Sequence, residues 1–376
     1  MAHSAPSVDQ EQAPEYASLV TSATTFVSTA TTRSFCDEML PKVSRTFAIC
    51  IRMLPPDLEH SVLVAYLLCR VADTIEDTTD LSLSQKEDLL LHFGRCLDVD
   101  GPDAKPLHNT FVDASSDEEL LAREADGVLT EFRHLPEEHR DAIRPWVQEM
   151  CSGMAEFAGR TNATANEPES LASIEDLERY CYYVAGTVGH LLTELFRQYS
   201  PKPTDRQYKH MKSLATSFGL GLQLTNIIKD VSDDRRRGRS FMPRQLCQAA
   251  GVTPGNLQRE GQHVESRQVL TTLIDKAKNH LCDALEYSTT LPRGQYGIRN
   301  FCLTSLYFAV RTLRLAERDP RLVDPTYKVK ISRRAVYRTI LTTKLVAPIN
   351  SLARTYFRLL AGQSWWRRCR ERVSGQ

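Results

Sequence analysis

Apolar residues recur at three- and four-residue intervals through most of this chain, and strand-like alternation is scarce. Such a period makes a continuous face only on an α-helix, so the chain must bury helix against helix. An all-α protein is predicted, with helices from about Arg33 to Met53, Asp57 to Thr78, Ser84 to Leu97, Asp117 to Phe132, Pro136 to Gly159, Ile174 to Tyr199, Asp205 to Ser232, Thr253 to Leu291, Gly294 to Arg318 and Ser332 to Leu360. Ser173, with Asp176 three residues on, is placed to cap the helix that starts at Ile174, and Pro201 and Pro203 stop that helix after Tyr199. The polar stretches Asp98 to Asp117 and Arg160 to Glu169 are surface connections, too short and too unbiased to separate domains. One domain is expected over 34–350, after a poorly ordered Ser/Thr/Ala-rich leader over 1–33 and before a basic, Trp-containing tail over 351–376.

The 376 residues are enough for a sizeable core. Lys+Arg and Asp+Glu are each 47, so no global basic field calls for nucleic acid and no such partner is expected. Apolar stretches such as Ser61 to Cys69 are soon closed by Arg70 and Asp73, which leaves no transmembrane helix, and the start of the chain lacks a signal peptide. Ten cysteines without a C-x-x-C pair are read as reduced, mostly buried thiols of a cytoplasmic protein. From Leu352 onward six Arg stand against one Glu, with Trp365 and Trp366 beside Arg367 and Arg368. That composition suits peripheral contact with lipid headgroups on the inner face of a membrane, and equally a solvated terminus.

Two helices carry the chemistry. Asp73, Glu76 and Asp77 follow an apolar stretch at i, i+3 and i+4, and Asp230, Asp233 and Asp234 repeat the spacing far downstream. Each triplet shares one face, where like charges repel unless something cationic neutralises them. One triplet alone reads as a solvated face near a helix end. Two matched triplets on apolar helices point to a hard divalent cation, Mg²⁺ with Mn²⁺ as a substitute, bridging carboxylates to substrate phosphates. Arg45, Arg70, Lys229 and the run Arg235-Arg236-Arg237 supply cations for a departing pyrophosphate, although the run also suits a helix C-terminus. Tyr180 and Tyr183 lie on a helix filled by Val184, Ala185, Val188, Leu191 and Leu192, where a tyrosine is either plain core or an electron-rich ring facing a carbocation. Gly186 and Gly189 in mid-helix cost about 1 kcal/mol each relative to Ala, which room for a long substrate chain or, more simply, close helix packing explains.

At these residues the chain resembles the squalene/phytoene synthase family. Five segments agree in order: Ser44-Arg45-Thr46-Phe47, Asp73-x-x-Glu76-Asp77, Tyr180 through Gly189, Gly219 through Gln223 and Asn226 to Asp230 and Asp234, and Val329-Lys330-Ile331. The resemblance implies a single-domain isoprenoid-synthase helical bundle around a central cavity, with the acidic helices facing each other. It implies Mg²⁺ on Asp73, Asp77, Asp230 and Asp234, to which the carboxylate spacing adds Glu76 and Asp233, and diphosphate contacts from Arg45 and Arg70, with Ser44, Phe47, Gln223, Asn226 and Lys229 as further candidates in or beside the matched segments. Tyr180 matches the tyrosine of the first half-reaction. The implied activity is head-to-head condensation of two farnesyl diphosphates by a monomer, of a bacterial type because eukaryotic members typically end in a membrane helix.

A basic segment linked to NADPH in squalene synthases here reads Val329-Lys330-Ile331-Ser332-Arg333-Arg334, so Lys330 and Arg333 are the cofactor candidates and Ser332 departs from the pattern. Ser305 departs likewise, where eukaryotic members usually carry proline. Without a G-x-G-x-x-G fingerprint, NADPH would have to bind without a Rossmann unit. Three other readings stay open: a same-fold synthase that stops at presqualene diphosphate, dehydrosqualene or phytoene, a cyclase acting on one diphosphate, and a non-catalytic helical protein whose acidic faces bind cations or partners.

Overall fold

The computed structural model describes residues 31–158, 169–200, 203–258 and 261–374, and helix dominates them as the apolar period requires. The leader lies, through residue 30, outside the described residues. Helix α1 covers 31–43 and is followed by α2 (Arg45–Ile51), α3 (Pro56–Asp77), α4 (Leu83–Arg95), α5 (Lys105–Thr110), α6 (Asp117–Arg123), α7 (Ala125–His134) and α8 (Glu137–Ala158). The second half contains α9 (Ile174–Cys181), a π-helical turn (Tyr182–Gly186), α10 (Thr187–Tyr199), α11 (Asp205–Arg236), α12 (Arg244–Ala249), α13 (His263–Thr290), α14 (Tyr296–Arg318), α15 (Arg333–Val346), α16 (Asn350–Ala361) and α17 (Gln363–Ser374). Two-residue strands β1 (Glu169–Ser170) and β2 (Arg239–Ser240) pair in parallel, the one ladder among the described residues.

Helix starts follow side-chain chemistry. Ser173 accepts from the Asp176 amide while Asp176 accepts from the Ser173 amide, the reciprocal cap anticipated for α9. Two predicted boundaries fail where proline or glycine intervenes. Helix α13 starts at His263 and not at Thr253, because Pro254 opens a 3₁₀ turn and Gly251 and Gly261 take φ of 80° and 88°. The single helix anticipated from Ser332 to Leu360 is split between α15 and α16, with Pro348 at the break.

Helix α11 packs along α13 and against α10 and α14, while α3 lies on α8, which also backs α4 and α10. A Cβ on Gly189 would stand 2.1 Å from the Ala215 carbonyl oxygen, and one on Gly219 2.1 Å from that of Ala185. These glycines let α10 and α11 touch backbone to backbone, the packing role anticipated for Gly189. Arg299, wholly buried, donates to the carbonyls of Leu291 and Ala347, each at 2.6 Å, and so joins α13, α14 and the α15–α16 turn.

The C-terminal segment corrects two expectations. Trp365 is buried and its indole donates to the Lys278 carbonyl at 3.2 Å, so this ring packs on α13 and does not face lipid. Helix α17 is also tied to α13 by a Cys282–Cys369 disulfide, whereas the eight other cysteines are buried and outside any disulfide. The pair is 87 residues apart, a spacing that carries no sequence signal until α17 folds back. Among the described residues no helix is long and apolar enough to cross a membrane.

Candidate active site

Helix α3 buries Leu67, Leu68, Val71, Ala72 and Ile75, and presents Asp73, Glu76 and Asp77 half-buried at its C-terminal end. The last carbonyls of a helix are unsatisfied and carry partial negative charge. Here Lys86 Nζ donates to the Glu76 carbonyl at 2.8 Å, and Arg239 donates to the same oxygen. Arg239 also pairs with Asp77 at 2.7 Å. Arg70 reaches both Asp73 and Glu118 at 3.4 Å, and its buried Nε has no hydrogen-bond partner. Even so, positive charge does not balance the cluster. Burial, opposed by Arg70 and aided by Asp77, pushes Asp73 up to about 6, and burial with repulsion from Asp77 pushes Glu76 up to about 8.

Helix α11 buries an apolar face between Met211 and Val231, but Gln223, Asn226, Asp230 and Asp234 form a half-open polar stripe at spacings of three and four. Burial, then repulsion from Asp230 and from Asp77, raises Asp234 to about 7. Arg239, on the strand that packs against α11, pairs with Asp77 and so brings the end of α3 beside that of α11. Lys229 pairs with Asp230. Asp233 behaves differently: burial opposes its charge, but pairs with Lys328 and Arg236 hold it below the usual carboxylate range. It ties the 328–332 segment to α11.

Tyr180 meets the first cluster directly, donating its hydroxyl to Glu76 Oε2 at 3.3 Å. Its ring stacks on Phe241 with centroids 5.0 Å apart and meets the Phe157 ring edge-on at 5.6 Å. Tyr183, three residues on, turns instead toward α8, where it contacts Glu156 at 3.5 Å and covers Gly153. The π turn between α9 and α10 shifts the register after Tyr180 and is itself invisible to a 3.6-residue pattern. A cavity of about 40 Å³ is lined by Glu76, Lys86, Phe157, Tyr180, Arg239 and Phe241, among others.

Of the remaining predicted residues, Ser44 caps α2 by accepting from the Phe47 amide at 3.2 Å, and the Phe47 ring lies 5.6 Å from that of Tyr66. Arg45 is exposed and makes no ion pair among the described residues. Val329 is buried, Lys330 and Arg333 are exposed, and Ser332 caps α15 by accepting from the Ala335 amide at 3.2 Å. The departure at Ser332 therefore starts a helix. Lys86, Arg239, Phe241 and Lys328 escaped the sequence reading. Arg239 stands just beyond a run of arginines, and only the β1–β2 ladder singles it out.

The family model for squalene/phytoene synthase matches residues 40–335. The chain belongs to the squalene/phytoene synthase family. It is 33% identical over 295 residues to a squalene synthase of Schizosaccharomyces pombe, a match that covers 78% of this chain and 62% of that protein. A squalene synthase of Cyberlindnera jadinii is 30% identical over 331 residues, 88% of this chain and 71% of the other. This chain thus spans a little under two thirds of the fission yeast relative's length. Among solved structures, the complex of TcSQS with the ligand BPH1237 superposes with a TM-score of 0.72 at 25% identity, covering 88% of this chain and 91% of that one. A dehydrosqualene synthase in complex with a ligand shares the fold at a TM-score of 0.57 and 20% identity, over 85% of this chain and 98% of its own. The all-helical family fold is therefore the one observed.

Proposed function

We propose that this chain joins two farnesyl diphosphate molecules head to head, through presqualene diphosphate, and reduces the product to squalene with NADPH. The observation that carries this reading is the Tyr180 hydroxyl, 3.3 Å from Glu76 within the aromatic wall beside two opposed carboxylate clusters. That contact joins a surface suited to a carbocation to one suited to a metal-bound diphosphate.

Asp73, Asp77, Asp230 and Asp234 offer hard oxygen donors, and in Asp73 and Asp234 the neighbouring arginines do not offset burial and repulsion, which fits Mg²⁺. Among the described residues no three acidic, His or Cys side chains converge into a metal cage, so Mg²⁺ would be held by one or two carboxylates together with substrate phosphate. Bound there, Mg²⁺ supplies the charge that draws diphosphate away as the allylic C–O bond breaks. Arg70 with its unpartnered Nε, exposed Arg45 and Lys229 offer donors to the departing pyrophosphate.

Tyr180, Phe157 and Phe241 offer ring faces to the allylic cation and exclude water that would quench it to an alcohol. The double bond of the second farnesyl group attacks that cation, and loss of a proton to the released pyrophosphate closes the cyclopropane. Burial, then the neighbouring Glu76 and Asp77 charges, keeps the Tyr180 phenol protonated, so its oxygen acts through lone pairs polarised by the bond to Glu76. NADPH supplies the hydride that ends the second ionisation. Lys330 and Arg333, on the segment that Lys328 ties to Asp233, are positioned in sequence to meet its 2′-phosphate.

The test is product analysis after incubating purified protein with farnesyl diphosphate and Mg²⁺, with and without NADPH. Squalene formed only with NADPH is expected. Presqualene diphosphate or dehydrosqualene under both conditions removes the reductive half, and no pyrophosphate release under either removes the whole reading.

A further inference from the structure

Helix α15 buries threonine and exposes leucine. Its fully buried residues are Thr339 and Thr343, whose hydroxyls donate to the carbonyls of Ala335 and Thr339, each at 2.7 Å. Val336, Ile340 and Val346 are partly buried beside them. Tyr337, Leu341 and Leu345 are 72%, 64% and 69% exposed. At i, i+4 and i+8 these three form one stripe along the helix. Ile349 and Leu352, exposed as well, continue the apolar surface past its end. A helix on a water-facing surface ordinarily has the opposite polarity.

The charge is equally one-sided. From Pro325 to Arg370 the chain has eleven Lys and Arg and no Asp or Glu. Lys328, Arg354 and Arg368 are paired with Asp233, Glu286 and Asp275 of other helices. Arg334, Arg338 and Lys344 are exposed and make no ion pair among the described residues. Each lies three residues from a member of the stripe: Arg334 from Tyr337, Arg338 and Lys344 from Leu341. Cations thus border the apolar stripe on its own helix face.

We infer that this face of α15 is a docking surface for an anionic lipid bilayer. Leu341 and Leu345 enter the acyl boundary, the Tyr337 ring sits at headgroup level, and Arg334, Arg338 and Lys344 meet lipid phosphates. Charge argues against a second copy of the chain, because an isologous contact would bring two sets of unpaired cations together. Nucleic acid would use the cations and leave the leucines in water. Helix α17 is a poorer anchor, since Trp365 is spent on packing against α13.

Co-sedimentation with vesicles tests the assignment on the full chain. The protein is expected to sediment with vesicles of equal parts phosphatidylcholine and phosphatidylglycerol, and to stay in the supernatant with phosphatidylcholine alone. The double variants Leu341→Glu/Leu345→Glu and Arg334→Glu/Arg338→Glu should each lower the partition coefficient roughly tenfold or more, with the melting temperature unchanged. Arg367→Glu on α17 should leave binding as it is. Wild-type protein that ignores both vesicles, or binding that survives both double variants, overturns the inference. So does binding lost with Arg367→Glu alone, a lipid-free dimer that Leu341→Glu/Leu345→Glu dissolves, or binding to polyuridylate that displaces the vesicles.

Discussion

Helices α3 and α11 carry the same i, i+3, i+4 carboxylate spacing and use it in different ways. On α3 all three acids crowd the cleft, and Asp73 and Glu76 are driven toward neutrality because Arg70, Lys86 and Arg239 do not offset their burial. On α11 the set is divided: Asp234 faces Asp77 and is raised to about 7, while Asp233 is held ionised by Lys328 and Arg236. The cause is where each helix ends. Helix α3 stops inside, with its Glu76 carbonyl met by Lys86 and Arg239, whereas α11 runs on into Arg235–Arg237 and the basic 328–332 segment. Spacing defines a face, and the neighbouring cations decide which members of it stay available to a ligand.

The largest effect should come from Asp234→Asn, which removes a donor from the shared cleft and should cut pyrophosphate release by about 10²–10³-fold. The same variant tests the electrostatics. A carboxyl at 3.8 in the unfolded chain and about 7 in the folded one binds protons more readily when folded, so it costs stability progressively as pH rises between those values, and in full above them. Without Mg²⁺, Asp234→Asn should therefore raise the melting temperature at pH 8 and change it little near pH 4. A lower melting temperature at pH 8 would mean that Asp234 is paired with a cation, and the contrast with Asp233 would collapse.

Next in size is Arg239→Ala. Arg239 both meets the end of α3 and pairs with Asp77, so it competes with any cation for that carboxylate. Turnover should fall about tenfold, with partial recovery in Arg239→Lys, while the Mg²⁺ concentration for half-maximal activity drops. If the variant instead needs more Mg²⁺, Arg239 organises the cluster and does not compete for it.

How far the sequence reaches is clear at these residues. The acidic triplets, the apolar helices that carry them, the Ser173 cap and the packing role of Gly189 are local patterns, and a 3.6-residue period exposes them. Tyr180 is named by its motif, but its bond to Glu76 spans 104 residues of sequence, and the π turn that sends Tyr183 the other way obeys no such period. Arg239 is one arginine among several until a two-residue ladder pins it. The disulfide and the burial of Trp365 depend on α17 folding back over α13, which no local pattern encodes. The split of α11's triplet was hidden for the same reason, because Lys328 lies 95 residues beyond Asp233.

The smallest effect is also the sharpest test of that split. If Asp233 is a tether and not a ligand, Asp233→Asn should leave pyrophosphate release without NADPH near the wild-type rate. It should also raise the KM for NADPH about threefold, by loosening the segment that carries Lys330 and Arg333. Lys328→Ala should do the same. Their coupling in a double-mutant cycle should be about 0.5 kcal/mol in stability, because Lys328 is nearly half exposed and solvent screens the pair. A loss of pyrophosphate release in Asp233→Asn as deep as that in Asp234→Asn would return Asp233 to the metal-binding set and make the two acidic helices equivalent.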